Sequence, residues 1–162
     1  MEANHLSAFL PEMRLDFWDS LWQGQITSLA SLERKLSVLE IPAKANTPCC
    51  RCVLRLKHGE SYLNQIWRYG KERLRVAVGN LLPKESQGVL YGVCRLTPNH
   101  VYILACAAHG QDLLELREKV ESDIETLMQS LEEYLDLESE LKEIVPVDAM
   151  IELLRRKDSY TA

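Results

Sequence analysis

The sequence predicts an α+β fold, with an antiparallel sheet of three to four strands, helices packed on one face, and an N-terminal helical segment in front. Three observations predict it. Apolar residues recur at helical spacing up to about residue 40. The period then switches to strict alternation over residues 50–57, and helix-like and strand-like stretches take turns from there on. A chain of 162 residues, 46% hydrophobic and 27% charged, is large enough for one compact unit with a real core. Within that unit, residues 1–45 form the helical segment and residues 46–162 the α+β part.

The first expected helix covers residues 11–23, with Pro11 in the first turn, where a missing N–H costs nothing, and Gly24 just past the end. A shorter turn or helix over residues 6–10 precedes it. Residues 28–40 follow, with Leu29, Leu32, Leu36 and Leu39 in helical register until Pro42 stops them. Over 50–57, Cys50, Cys52, Leu54 and Leu56 alternate with Arg51, Val53, Arg55 and Lys57, and three basic residues among four outward positions mark a half-buried strand. Helical spacing returns after Gly59 and runs as one helix through Leu63, Ile66, Trp67, Leu74, Val78 and Leu81 to Pro83. Residues 88–96 and 100–107 read as two strands joined by the turn Thr97-Pro98-Asn99. Asp112 and Glu115 have the spacing of a capping box, opening a long helix striped by Leu113, Leu116, Val120, Ile124, Leu127 and Leu131. Residues 137–143 read either as a polar edge strand or as more helix, and residues 148–160 as a final amphipathic helix. Two β-α-β halves sharing one sheet, a ferredoxin-like arrangement, fit this order.

Composition excludes some functions. No apolar run reaches the ~18–20 residues of a membrane span, and residues 1–10 lack the basic start of a secretory signal, so a cytoplasmic protein is expected. A net charge of −5 argues against direct nucleic-acid contact. Cys49, Cys50, Cys52, Cys94 and Cys106 lie in or beside apolar stretches, which suits reduced, buried thiols. Adjacent Cys49 and Cys50 point to opposite faces of a strand and no second Cys-x-x-Cys pair exists, so no metal is expected. His5, His58, His100 and His109 are scattered, and no nucleophile elbow or Gly-rich phosphate loop occurs; neither a catalytic residue nor a cofactor is expected.

Two surfaces stand out. Leu6, Leu10, Met13 and Phe17 recur at three- and four-residue intervals, as in a helix seam between two copies of the chain or in a helix roofing its own sheet. Arg68, Lys71, Arg73 and Arg75, interleaved with Trp67 and Tyr69, make a basic stretch that suits a partner or anion, or simply a solvated helix face.

The order Phe17-Trp18-x-x-Leu21-Trp22-x-Gly24, then residues 32–41, the strand 52–57, Val76-Ala77-Val78-Gly79-Asn80-Leu81-Leu82 and the hairpin ending at 101–105 resembles one family. It is the middle domain of YesN-like response regulators of the AraC type, and the closing Asp158-Ser159-Tyr160-Thr161-Ala162 is similar to the stretch leading to their DNA-binding region. That middle domain is similar in architecture to the GGDEF nucleotide cyclases. Cyclases place metal-binding acids at the end of the first strand and in the central hairpin turn; here stand Lys57-His58-Gly59 and Thr97-Pro98-Asn99-His100. The resemblance implies a degenerate, non-enzymatic regulatory domain of a two-component transcription regulator. It further implies a homodimer, with receiver and DNA-binding domains as partners in the parent chain. A nucleotide or small-effector sensor is the second reading, and an enzyme built on the thiols or basic helix the third.

Overall fold

The computed structural model describes the backbone of residues 2–85 and 88–154, and the side chains of that range from residue 9 on. Its elements are α1 (Glu2–Trp22), α2 (Leu29–Val38), β1 (Cys49–Leu56), α3 (Gly59–Ser61) running into a π-helical turn (Tyr62–Ile66), α4 (Lys71–Leu81), β2 (Val89–Leu96), β3 (His100–Ala107), α5 (Leu113–Leu135) and β4 (Ser139–Val147). The strands form one sheet in the order β2-β3-β1-β4 with every neighbouring pair antiparallel. Each helical connection, β1 to β2 and β3 to β4, steps over one strand, so the α+β fold has the split β-α-β arrangement.

Alternation along the strands makes two cores. Cys50, Cys52 and Leu54 of β1 join Val101, Ile103 and Ala105 of β3 beneath Leu74 and Val78 of α4 and the stripe of α5 from Leu116 to Leu131. On the opposite face, Cys49, Leu90, Leu104 and Cys106 pack against Phe17, Trp18 and Leu21 of α1 and Leu32 and Leu36 of α2. The N-terminal segment is therefore the second layer of the domain. It also changes β1: Arg51 and Val53, read as outward positions, are both buried, Arg51 against Trp22 of α1, while Arg55 and Lys57 remain exposed.

Local chemistry accounts for the helix ends. Ser28 caps α2 by accepting the Ser31 N–H (3.1 Å). The capping box of α5 is complete: the Glu115 N–H donates to Asp112 Oδ1 (2.8 Å) and the Asp112 N–H to Glu115 Oε1 (3.3 Å). At the other end Asp136 is left-handed (φ 55°) and the Leu137 N–H bonds back to the Leu131 carbonyl (3.1 Å), a Schellman closure with both leucines buried. This closure turns the chain into β4, deciding between the two readings of residues 137–143. As an edge strand β4 carries Lys142, Glu143 and Pro146 on exposed positions, which discourages pairing with another chain.

Two helix expectations change. α1 continues through Pro11 as one helix. An interior proline costs about 3 kcal/mol, but Phe17, Trp18 and Leu21 together recover more, at about 1.5–3 kcal/mol for each buried side chain. The single helix expected from Gly59 to Pro83 is broken at residues 67–70, where Trp67 is extended, Gly70 has φ 89°, and the Trp67 indole N–H closes the turn on the Gly70 carbonyl (2.9 Å). The final helix expected over 148–160 falls partly outside the described residues; 152–154 are helical, and Met150 and Leu153 are buried.

Candidate functional site

The end of β1 and the β2–β3 turn, where the sequence was compared with cyclases, are in direct contact. The Leu56 N–H donates to the Asn99 carbonyl (2.8 Å), and a Cβ on Gly59 would collide with the Pro98 carbonyl oxygen. Thr97 Oγ1 accepts the N–H groups of Asn99 (3.2 Å) and His100 (3.0 Å), so the turn is held by its own hydroxyl. Desolvation by partial burial, with smaller contributions from Lys142 and Arg55 nearby, pushes the His100 pKa down. A hollow of about 220 Å³ lies beside β1, lined by Lys57, His58, Tyr62, Gln65, Asp136 and Glu138. Among the described residues no group of three His, Cys, Asp or Glu side chains is arranged to hold a metal.

The expected self-association stripe lies mostly inside the molecule. Leu10 is 8% exposed and Phe17 3%, both in the second core, and Met13 packs against that core. The Leu6 side chain lies outside the described residues. For Leu10 and Phe17 the roofing reading holds, because α1 spends its apolar face on the sheet. The sheet accommodates it closely: a Cβ on Gly92 of β2 would run into the Trp18 indole. Trp22 faces Tyr102 (5.4 Å between rings), and the Arg51 guanidinium stacks 4.0 Å over the Trp22 ring. Arg14 ties α1 to the end of α2 through the carbonyls of Leu39 (2.9 Å) and Glu40 (2.7 Å).

The basic stretch divides. Arg68, Lys71 and Arg73 are exposed, whereas Arg75 is 6% exposed and points inward. Its Nε donates to the Val93 carbonyl on the outer edge of β2 (2.8 Å) and its Nη2 to the Leu15 carbonyl of α1 (2.6 Å). Arg75 therefore fastens α4, β2 and α1 together and leaves the proposed anion surface to the other three.

All five cysteines are buried. Burial pushes the Cys50 thiol up to about 11 and raises Cys52 and Cys94 further, so these thiols are protonated at neutral pH and poor nucleophiles. A polar group that sequence reasoning missed lies on the other core: Tyr91 OH donates to Asp123 Oδ2 (2.6 Å), and Lys119 Nζ pairs with Asp123 Oδ1 (2.9 Å). Asp123 stands among Val120, Ile124 and Leu127 of the apolar stripe, and an acid in that position was the available signal.

No protein-family model matches the chain, and no curated protein or solved structure is significantly similar to it. No described helix is long and apolar enough to cross a membrane.

Proposed function

We propose that this domain is a non-catalytic regulatory module of a DNA-binding transcription regulator, relaying a signal from α1 to its C-terminal segment and on to a helix-turn-helix region outside this sequence. The observation that carries the reading is the second core, in which Leu10, Phe17 and Leu21 of α1 and Met150 and Leu153 share one cluster on one sheet face. The C-terminal segment is hung there by backbone bonds, Met150 N–H to the Thr47 carbonyl (2.8 Å) and Ile151 N–H to the Ala45 carbonyl (2.9 Å). A displacement of α1 is thus felt where residues 150–154 are held. At the two positions where the cyclase resemblance places metal-binding acids, the end of β1 and the hairpin turn, stand Lys57 and Thr97-Pro98-Asn99-His100, and this supports a role without metal-dependent nucleotide chemistry, since a divalent ion needs carboxylate oxygens there. Self-association belongs to this reading. With Leu10 and Phe17 used internally, its contact would lie on the outward side of the N-terminal layer, where Leu29 and Val38 are about half exposed.

The test is hydrogen exchange on a variant that loosens α1. Gly92→Ala, which forces Trp18 off β2, is expected to speed exchange in α1 and in residues 147–154 together; unchanged exchange at 147–154 would refute the relay. The reading frame beyond Ala162 is a second check, since a stop codon there removes the DNA-binding output.

A further inference from the structure

Cys49 and Cys106 face each other directly across β1 and β3, with their sulfurs 3.5 Å apart. The next pair along is joined by the Ala107 N–H to the Pro48 carbonyl (3.0 Å). Residues 49 and 106 are therefore a non-hydrogen-bonded pair, the kind in which Cα atoms approach to about 4.5 Å and side chains come closest. That separation falls within the roughly 4.4–6.8 Å span of disulfide Cα atoms, and the sulfurs need to close by only about 1.5 Å to reach bonding distance. We propose that Cys49 and Cys106 are a redox modification site, a dithiol that closes to a cross-strand disulfide by exchange with a low-molecular-weight disulfide.

The balance is that of thiol–disulfide exchange. The thiolate of one cysteine attacks a sulfur of the small disulfide and expels one small thiolate, leaving a mixed disulfide. The second cysteine, deprotonated in turn, attacks the protein sulfur of that mixed disulfide and expels the other small thiolate. Two cysteine thiols and one disulfide become one protein disulfide and two small thiols, with two electrons and two protons transferred.

Geometry selects this pair from the five cysteines. Cys50 and Cys52 belong to the core on the other face of the sheet, and Cys94 sits at the β2 bulge with its thiol directed to the Gly92 carbonyl (3.6 Å). Both sulfurs of the pair are buried, so exchange proceeds through opening of the sheet end. The site is placed for that: Cys49 is the first residue of β1, and Thr47, Pro48, Ala107 and Ala108 line a cleft of about 640 Å³ beside it. The hydrogen bond shared with Cys49, together with burial, holds the Cys106 thiol well above its ordinary pKa, which makes the exchange slow at neutral pH. The chemistry also reaches a neighbouring anchor. The Thr47 carbonyl accepts both the Cys49 thiol (3.4 Å) and the Met150 N–H, and closing the disulfide removes the first of these donors.

The experiment equilibrates the intact native chain with hydroxyethyl disulfide, alkylates the remaining thiols and maps peptides without reduction. The expected product is a monomer lighter by two hydrogens, with one cross-linked peptide joining Cys49 to Cys106 and the other cysteines alkylated. Because the bridge closes a loop across a separation of 57 residues, its melting temperature should rise by on the order of 10 °C. Cys49→Ser and Cys106→Ser should each abolish the cross-link; if a variant fails to fold, the wild-type map alone decides. Five free thiols at equilibrium, a bridge between any other cysteines, disulfide-linked dimers, or a bridge at 49–106 that lowers the melting temperature would each overturn the proposal.

Discussion

Removing the Arg75 guanidinium should destabilise the domain far more than a change in a surface basic patch would. The side chain is 7% exposed and satisfies two backbone carbonyls belonging to different elements, Val93 of β2 and Leu15 of α1. The Val93 carbonyl points away from β3 at a sheet edge, so it loses its charged donor without a strand to replace it; a hydrogen bond from a charged group is worth about 1.5–3 kcal/mol. Leu15 lies within a helix whose own ladder also uses its carbonyl, so about 1 kcal/mol is assigned to that bond. The third contact, to Glu72 Oε2 (3.4 Å), involves a carboxylate that is 80% exposed and adds little. Arg75→Met, which keeps the buried stem, should therefore cost about 2.5–4 kcal/mol. Glu72→Ala should cost no more than a few tenths. Urea unfolding followed by tryptophan fluorescence measures both. A loss under about 1 kcal/mol for Arg75→Met with an unchanged m-value, or an equal loss for Glu72→Ala, would refute the clamp.

Further outcomes follow from the same contacts. Leu10→Asp should lower stability by roughly 2–4 kcal/mol through burial of a carboxylate in the second core, leaving the mass of the folded fraction in light scattering unchanged; a stable, folded variant of halved mass would restore the seam reading. Stability should fall as pH rises above about 9, because the folded state keeps protons that the unfolded chain releases: Cys50 moves from 9.0 to about 11, and burial and Asp123 raise Tyr91 from 10.0. Tyr91→Phe should make that loss shallower above pH 10 while costing about 1–2 kcal/mol at neutral pH, as read from urea midpoints across pH. Asp112→Ala should cost about 0.5–2 kcal/mol through loss of the α5 cap, with hydrogen exchange rising first at residues 113–116. Incubated with GTP or ATP and magnesium, the domain should make no cyclic nucleotide; turnover abolished by a substitution within it would contradict the proposed role.

Sequence by itself determined the elements whose signals are local. The α5 cap is chemistry between Asp112 and Glu115, three residues apart, and the β2–β3 turn is set by Thr97 and its neighbours; both stand as the sequence predicts. The alternation of Cys50, Cys52, Leu54 and Leu56 correctly assigned one face of β1 to a core. Tertiary structure decided what the opposite face meets. Arg51, Leu10 and Arg75 are each compatible with solvent when their own segment is read alone, and each is buried because α1 lies across the sheet. Pro11 looked like a helix start because proline is tolerated there, and only the apolar surface of the sheet, tens of residues away in the chain, supplies enough burial to carry the helix through it. The same distance hid the thiol pair: Cys49 and Cys106 become partners only once β1 and β3 take their register, which depends on the long-range pairing of the whole sheet and not on any spacing between the two cysteines.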